Sequence, residues 1–535
     1  MVPQGSSVEA RLSDALGLAA EDPWAGGRRL SRSLEDLPTD IQDHILKCQC
    51  TCDHLGYGNF SAGSLSRLTN GCSAHLAKGS TSANDPNARP DEQLHLHENK
   101  PTTNKHKEDG LGARTKVWVC VVLVLAAVAG VGVGVPLALR VDPGASLHQR
   151  LESAKTLLRE TPLFDGHNDL PWNIRKFMHN KLHSFNFTAE LKKLRPWSRS
   201  SWSHTDLPRL KEGMVGAQFW VSYVPCESQT LNAVQLTIEQ IDLIKRLIDQ
   251  YPDDLRLATS AHEVEEAFKN GRIASLIGVE GGHAIQNSLG VLRALRDLGV
   301  RYLTLTHTCS TPWAESARAL ETDAEDPNSP RGLTPFGKTV VREMNRLGLM
   351  VDLSHVSQAT MKAALEVSRA PVIFSHSSVY SICKNPRNVP DHILKKVAAN
   401  DGVVMISFYN FFLTCSKEAA ISDVIEHVNH VRKVAGVNHV GIGADFDGIN
   451  MLPVGLGDVS GYPRLFAELL SDPTWTVTDL KKLAGLNLLR VMRKVEKVGV
   501  DLRQQRVKPQ EEEIARSPED DACFYRFTRQ ADHTE

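Results

Sequence analysis

An excess of charge is missing from this sequence of 535 residues: 61 Lys and Arg stand against 63 Asp and Glu, a formal net charge of −2. No global basic field is therefore offered to nucleic acid. A glycine-rich phosphate loop of the dinucleotide type is missing too. Cysteine is sparse, and the cluster Cys48, Cys50 and Cys52, with Cys72 farther on, lacks the paired C-x2-C spacing of a zinc module. Mean hydropathy is slightly negative, −0.25, which excludes a multi-pass membrane protein. No Met lies between Met1 and Met178, so no internal start turns a later apolar run into an amino-terminal signal. The carboxyl end, FYRFTRQADHTE, has no apolar tail, and a glycolipid anchor is not expected.

One long apolar run is present. Val117 to Leu139, VWVCVVLVLAAVAGVGVGVPLAL, contains no charged residue and covers the roughly 20 residues that a bilayer core requires. Lys105, Lys107, Arg114 and Lys116 precede it, and Arg140 and Asp142 follow. The positive-inside rule then keeps the amino terminus cytosolic and exports the rest. The expectation is a single-pass type II membrane protein with an extracellular main domain. The competing reading is a cleaved signal peptide in a mispredicted gene model. Residues 1–116, rich in Ser, Gly, Asn, Asp and His, read as a disordered cytosolic tail. Residues 140–150 read as a linker, 151–500 as the main domain and 501–535 as a charged extension.

Within 151–500 short apolar runs alternate with amphipathic helical stretches. PLFDGHND, GMVGAQFWVSYV, ASLIGVEGG, RYLTLTHT, GLMVDLSH, PVIFSHS, GVVMISFYN and HVGIGADFDG make eight strand candidates. Strands alternating with helices imply a parallel sheet. Polar residues end nearly every run, which favours an α/β fold of the closed (β/α)8 TIM-like type, with its site at the carboxyl ends of the strands.

Those ends carry the chemistry. His167 and Asp169 fall on the same side of the first run, Glu280 closes LIGVE, His355 closes MVDLSH, His376 follows PVIFS and Asp445 follows VGIGA. In VDLSH, alternation sends Asp352 away from the face of His355. A lone His-x-Asp is more often a structural pair, but six such groups in one mouth persist only if cations compensate them. Imidazoles and carboxylates without Cys suit zinc or a related divalent ion, and their number exceeds one tetrahedral site. Asp447 lies on the same side as Asp445, so spacing leaves the choice between them open.

DGHNDLP, GVEGGH, RYLTLTHT, VDLSH, FSHSSVYS and the Arg-Asn-Val of CKNPRNVP resemble the membrane (renal) dipeptidase family, zinc-dependent hydrolase barrels of the amidohydrolase type. The resemblance runs in order over roughly residues 151–500. It implies two zinc ions per subunit, one on His167, Asp169 and Glu280, the other on Glu280, His355 and His376. It makes Asp445 the acid/base carboxylate, His307 the oxyanion-side imidazole and Arg387 the clamp for the substrate carboxylate. Two zinc ions about 3.5–4 Å apart would lower the pKa of a shared water enough to supply hydroxide near neutrality. The implied substrates are dipeptides, cysteinyl-glycine conjugates such as leukotriene D4, and β-lactams. Ala444 departs from the glycine often found there. A non-peptidase hydrolase and an inactive surface receptor on the same barrel are the alternatives.

The resemblance also pairs Cys226 with Cys309 and Cys383 with Cys415, and leaves Cys523 for an interchain bond in a homodimer, a free thiol being the other reading. Asn186 of Asn-Phe-Thr is the glycosylation site expected on the exported side, and Asn59 of Asn-Phe-Ser should be bare.

Overall fold

The computed structural model describes residues 144–319 and 331–514, with Trp118 and Val121. The tail, the remainder of the run 117–139, Asn59 and Cys523 lie outside them. Among the described residues no helix is long and apolar enough to cross a membrane.

Nine parallel strands form one sheet: β1 (Leu163–Asn168), β2 (Val215–Tyr223), β3 (Leu255–Leu257), β4 (Ile273–Glu280), β5 (Val300–Thr304), β6 (Met350–Asp352), β7 (Ile373–Phe374), β8 (Val403–Ile406) and β9 (Val440–Ile442). Eight of them close on themselves in the order β1–β2–β4–β5–β6–β7–β8–β9, with β9 pairing back to β1. β3 pairs with the start of β4, at Leu255–Leu257 against Ile273–Ser275, beneath the stretch that β5 occupies. The barrel strands are near-continuous apolar runs because each is buried on both faces. Their interior is filled by large side chains: Phe164 stacks on Phe219 at 5.5 Å, and Phe219 meets Tyr302 at 4.7 Å.

Helices with one apolar stripe cover the outside. Their starts are set by polar caps: Ser146 forms a capping box with Gln149, and Ser260, Thr334 and Ser357 each accept the backbone N–H three residues on. The last helix among the described residues, Asn487–Gln504, buries Leu488, Val491, Met492 and Val495 in the core. It carries the fold past residue 500. Beyond it, Arg293 Nη1 donates to the Gln510 carbonyl at 3.1 Å and the Gln510 N–H donates to Glu343 at 3.2 Å, so the extension is held against the barrel as far as the described residues go.

Candidate active site

The five candidate ligands and Asp445 arrive at one mouth from five strand ends. His167 is the penultimate residue of β1, and Asp169 is the N-cap of the helix Leu170–Met178. Glu280 is the final residue of β4. His355, His376 and Asp445 lie two or three residues past β6, β7 and β9. All six are buried.

Glu280 is the centre of the arrangement. Its Oε2 lies 3.7 Å from His167 Nε2, whereas Oε1 lies 2.9 Å from His355 Nε2 and 3.4 Å from His376 Nε2. The two oxygens of one carboxylate therefore face two separate imidazole groups. On the first side His167 Nε2 is also 3.0 Å from Asp169 Oδ2 and 3.9 Å from Asp445 Oδ1. On the second, the Nε2 atoms of His355 and His376 approach to 3.0 Å. Ligand atoms of His167, Glu280 and His376, of Glu280, His307 and His355, and of His167, Asp169 and Asp445 form three groups, each compact enough to hold a metal ion.

The electrostatics fit divalent cations. Burial pushes the carboxyls of Glu280 and Asp445 up to about 8, with Asp169 adding to the push. Burial opposes the charged form of His167, but Asp169, Glu280 and Asp445 outweigh it and raise the imidazole to about 10. Without cations the cluster is thus neutral only by holding protons. Asp169 Oδ1 is buried with no hydrogen-bond partner among the described residues. Three carboxylates and three imidazoles, with no sulfur, make a donor set suited to zinc and its neighbours.

The outer nitrogen of each ligand is handled differently. Tyr302 OH donates to the Gly166 carbonyl at 3.2 Å and so accepts from His167 Nδ1, also at 3.2 Å. Ser375 Oγ donates to Asp352 Oδ2 at 2.6 Å and so accepts from His376 Nδ1 at 2.8 Å. Both imidazoles thereby turn Nε2 toward the cluster, the nitrogen that would bind a metal once it is unprotonated. Asp352 is anchored further by the backbone N–H groups of Ser354 and Ser375. It lies beneath the cluster, contrary to the outward direction that alternation gave it, because the chain leaves strand geometry after Asp352. His355 itself has φ +67°, and its carbonyl is fixed by Ala317 N–H at 2.7 Å and Thr306 Oγ1 at 3.1 Å.

The structure separates the two aspartates of GIGADFDG. Asp445 faces the cluster. Asp447 turns away, accepting from Asn173 Nδ2 at 3.1 Å and the His204 N–H at 3.3 Å. Ala444 is fully buried, and its N–H donates to Asp165, which also accepts from Tyr462 OH at 2.6 Å. Asp165 and Tyr462 thus tie β1 to the segment bearing Asp445, roles that no sequence pattern announced.

Two further residues rim the mouth. His307 stacks against His355 with ring centroids 4.3 Å apart, and its Nδ1 meets Thr308 Oγ1 at 3.2 Å, leaving Nε2 available. Tyr223, with its ring 4.9 Å from His307, and Trp172, 5.1 Å from Tyr223, continue this wall. Arg387 is 2% exposed, and its Nε has no partner among the described residues. Its other contacts are long: Nη2 to the His376 carbonyl at 3.3 Å, Nη1 to Ser377 Oγ at 3.5 Å, and the Phe412 ring at 5.0 Å. Burial lowers the guanidinium to about 10 against the pull of Asp445 and Glu280. A buried guanidinium so thinly bonded suits an anionic group of a ligand. Disulfides join Cys226 to Cys309 and Cys383 to Cys415.

Comparison with known proteins agrees with this geometry. Residues 151–506 match the family described as Membrane dipeptidase (Peptidase family M19). Dipeptidase 3 of Mus musculus is 49% identical over 347 residues, 65% of this chain and 67% of that protein, and Dipeptidase 3 of Rattus norvegicus is 48% identical over 347 residues, 65% and 68%. A metallo peptidase from Rhodobacter sphaeroides, solved with a phosphinate mimic of the dipeptide L-Ala-D-Ala, superimposes with a TM-score of 0.54 at 26% identity, covering 63% of this chain and 99% of that one. The eight-stranded barrel, the buried ligand cluster and these matches place the chain in the membrane dipeptidase family, the M19 metallo-dipeptidases.

Proposed function

We propose that the chain is a membrane-anchored dipeptidase in which His167, Asp169, Glu280, His355 and His376 would hold two zinc ions, with Glu280 common to both. The observation that carries this is the division of Glu280: one oxygen faces His167, which itself pairs with Asp169, and the other faces His355 and His376. Zinc held there would supply an acidified water and a Lewis acid for the peptide carbonyl. Asp445 accepts the proton of the attacking water and returns it to the leaving amine. His307, through its free Nε2, stabilises the oxyanion as charge develops. Arg387 receives the substrate's free carboxylate, which restricts turnover to peptides ending one residue beyond the scissile bond. The dipeptide mimic bound by the Rhodobacter relative supports that substrate class. Cysteinyl-glycine conjugates such as leukotriene D4, and β-lactams with a comparable carboxylate, are the further substrates proposed. Residues 117–139 serve as a type II signal-anchor, with 1–116 cytosolic, and Cys523 links two subunits covalently.

The test pairs Arg387→Ala with two substrates, a free dipeptide and its C-terminal amide. Losing one partner of a desolvated charge pair costs roughly 2–5 kcal/mol, and each 1.4 kcal/mol is about tenfold. kcat/KM for the free dipeptide should therefore fall by about one to four decades, with partial recovery in Arg387→Lys. The amide should be a poor substrate of the wild type and little affected by the substitution. A coupling energy near zero in this double-mutant cycle would remove the clamp and favour a non-peptidase hydrolase.

A further inference from the structure

Arg387 sits in a turn that is fastened across the barrel rim to the segment following β8. Asn388, fully buried, accepts the Ser378 N–H at 3.2 Å through Oδ1. Its Nδ2 donates to the carbonyls of Cys383 at 2.9 Å and Phe412 at 2.8 Å. His427, on the helix Ile421–Val434, makes the same crossing. Its Nδ1 accepts the Val379 N–H at 2.9 Å and its Nε2 donates to the Leu413 carbonyl at 2.9 Å, which fixes the tautomer. The Cys383–Cys415 disulfide is a third tie between the same two segments. Phe412, against which the guanidinium rests, belongs to the second segment.

Resting on the reading of Arg387 as the carboxylate clamp, we infer that Asn388 and His427, with the Cys383–Cys415 bond, form a rigid mount whose task is to aim Arg387. Asn388 and His427 are positioning residues: neither touches the metal cluster. The physical reason is entropy. A free arginine side chain has many rotamers to lose on binding, and holding it in place beforehand converts that cost into affinity. A mount that loosens should therefore weaken recognition of the carboxylate and leave the hydrolytic groups untouched.

Asn388→Asp keeps the shape but turns a carboxylate oxygen toward two carbonyls that now accept. It should raise KM for a free dipeptide about tenfold, the scale of a clamp displaced by less than about 1 Å. kcat, zinc content and turnover of the amidated dipeptide should stay within about twofold. A second variant, Cys383→Ala with Cys415→Ala, removes the disulfide without altering any buried hydrogen bond named here and should act in the same direction, so the inference survives a poorly folding Asn388→Asp. Loss of zinc, equal loss on both substrates, or an unchanged KM in the variants would each overturn it. Arg387→Ala is measured alongside. If that substitution lowers turnover of the free and the amidated dipeptide equally, the clamp reading itself fails. If it lowers only the free dipeptide, and neither mount variant shifts KM, only the mount is wrong.

Discussion

A methyl group at Gly448 has no room: its carbon would sit 2.2 Å from Asp169 Oδ2 and 2.5 Å from Asp445 Oδ1. Gly448→Ala should therefore push apart the carboxylates on one side of the cluster. Because misplacement of about 1 Å can cost roughly 10²-fold, kcat/KM should fall by about that factor, and metal content should fall with it. Full zinc occupancy and activity in the purified variant would show that the loop shifts freely. Glu280 and Asp445 divide by the same geometry. Glu280→Gln takes charge from between two cation positions and should abolish activity and lower zinc occupancy. Asp445→Asn should keep both metals and lose proton transfer, a step worth typically about 10²–10⁴-fold in kcat. Asp447, bound to Asn173 and His204, should tolerate the same change with its metals intact. An active Asp445→Asn beside an inactive Asp447→Asn would reverse the assignment.

The elements differ in what they ask of solvent. On the helix Ile421–Val434, burial holds the imidazole of His427 at about 4 against the usual 6.5, with Asp423 favouring and His430 opposing its charged form. Between these values the unfolded chain binds the extra proton. The stabilisation is therefore complete above about pH 6.5 and is lost as pH falls toward 4, a contribution on the order of 3 kcal/mol. The melting-temperature difference between wild type and His427→Gln should be large at pH 7.5 and shrink at pH 5; a constant difference would contradict it. The eight apolar runs visible in the sequence are the eight barrel strands, because strands buried on both faces read as continuous hydrophobic text. β3, three residues of which only Leu255 is buried, left no such trace. The ligands were legible since each ends such a run. Asp352 and the choice of Asp445 over Asp447 were not, because His355, Asp445 and Asp447 all have positive φ. A two-residue period cannot be carried past the end of a strand into backbone of that kind. The mount around Arg387 was hidden for another reason: its hydrogen-bond partners are 5 to 48 residues apart and mostly backbone atoms.

At the scale of the molecule, the charge asymmetry around 117–139 makes a claim that glycans can check. Asn186 is exposed, and its Oδ1 accepts from Thr188 Oγ1 at 2.6 Å, so the acceptor amide is open to solvent. Glycosidase-sensitive mass should map to Asn186 and never to Asn59; the reverse would invert the topology. Cys523→Ser should abolish a covalent dimer on non-reducing gels while activity persists, and a wild type that migrates as a monomer without reductant would end that proposal. The mount described above has a consequence for how such enzymes diversify. Residues 378–415 carry Arg387, Phe412 and both cysteines of one disulfide, yet none of the six cluster residues. If Arg387 is the clamp, selection can redraw which carboxylate-bearing molecules are accepted largely within one contiguous stretch, as a toolmaker changes the jaw of a vice and keeps the screw.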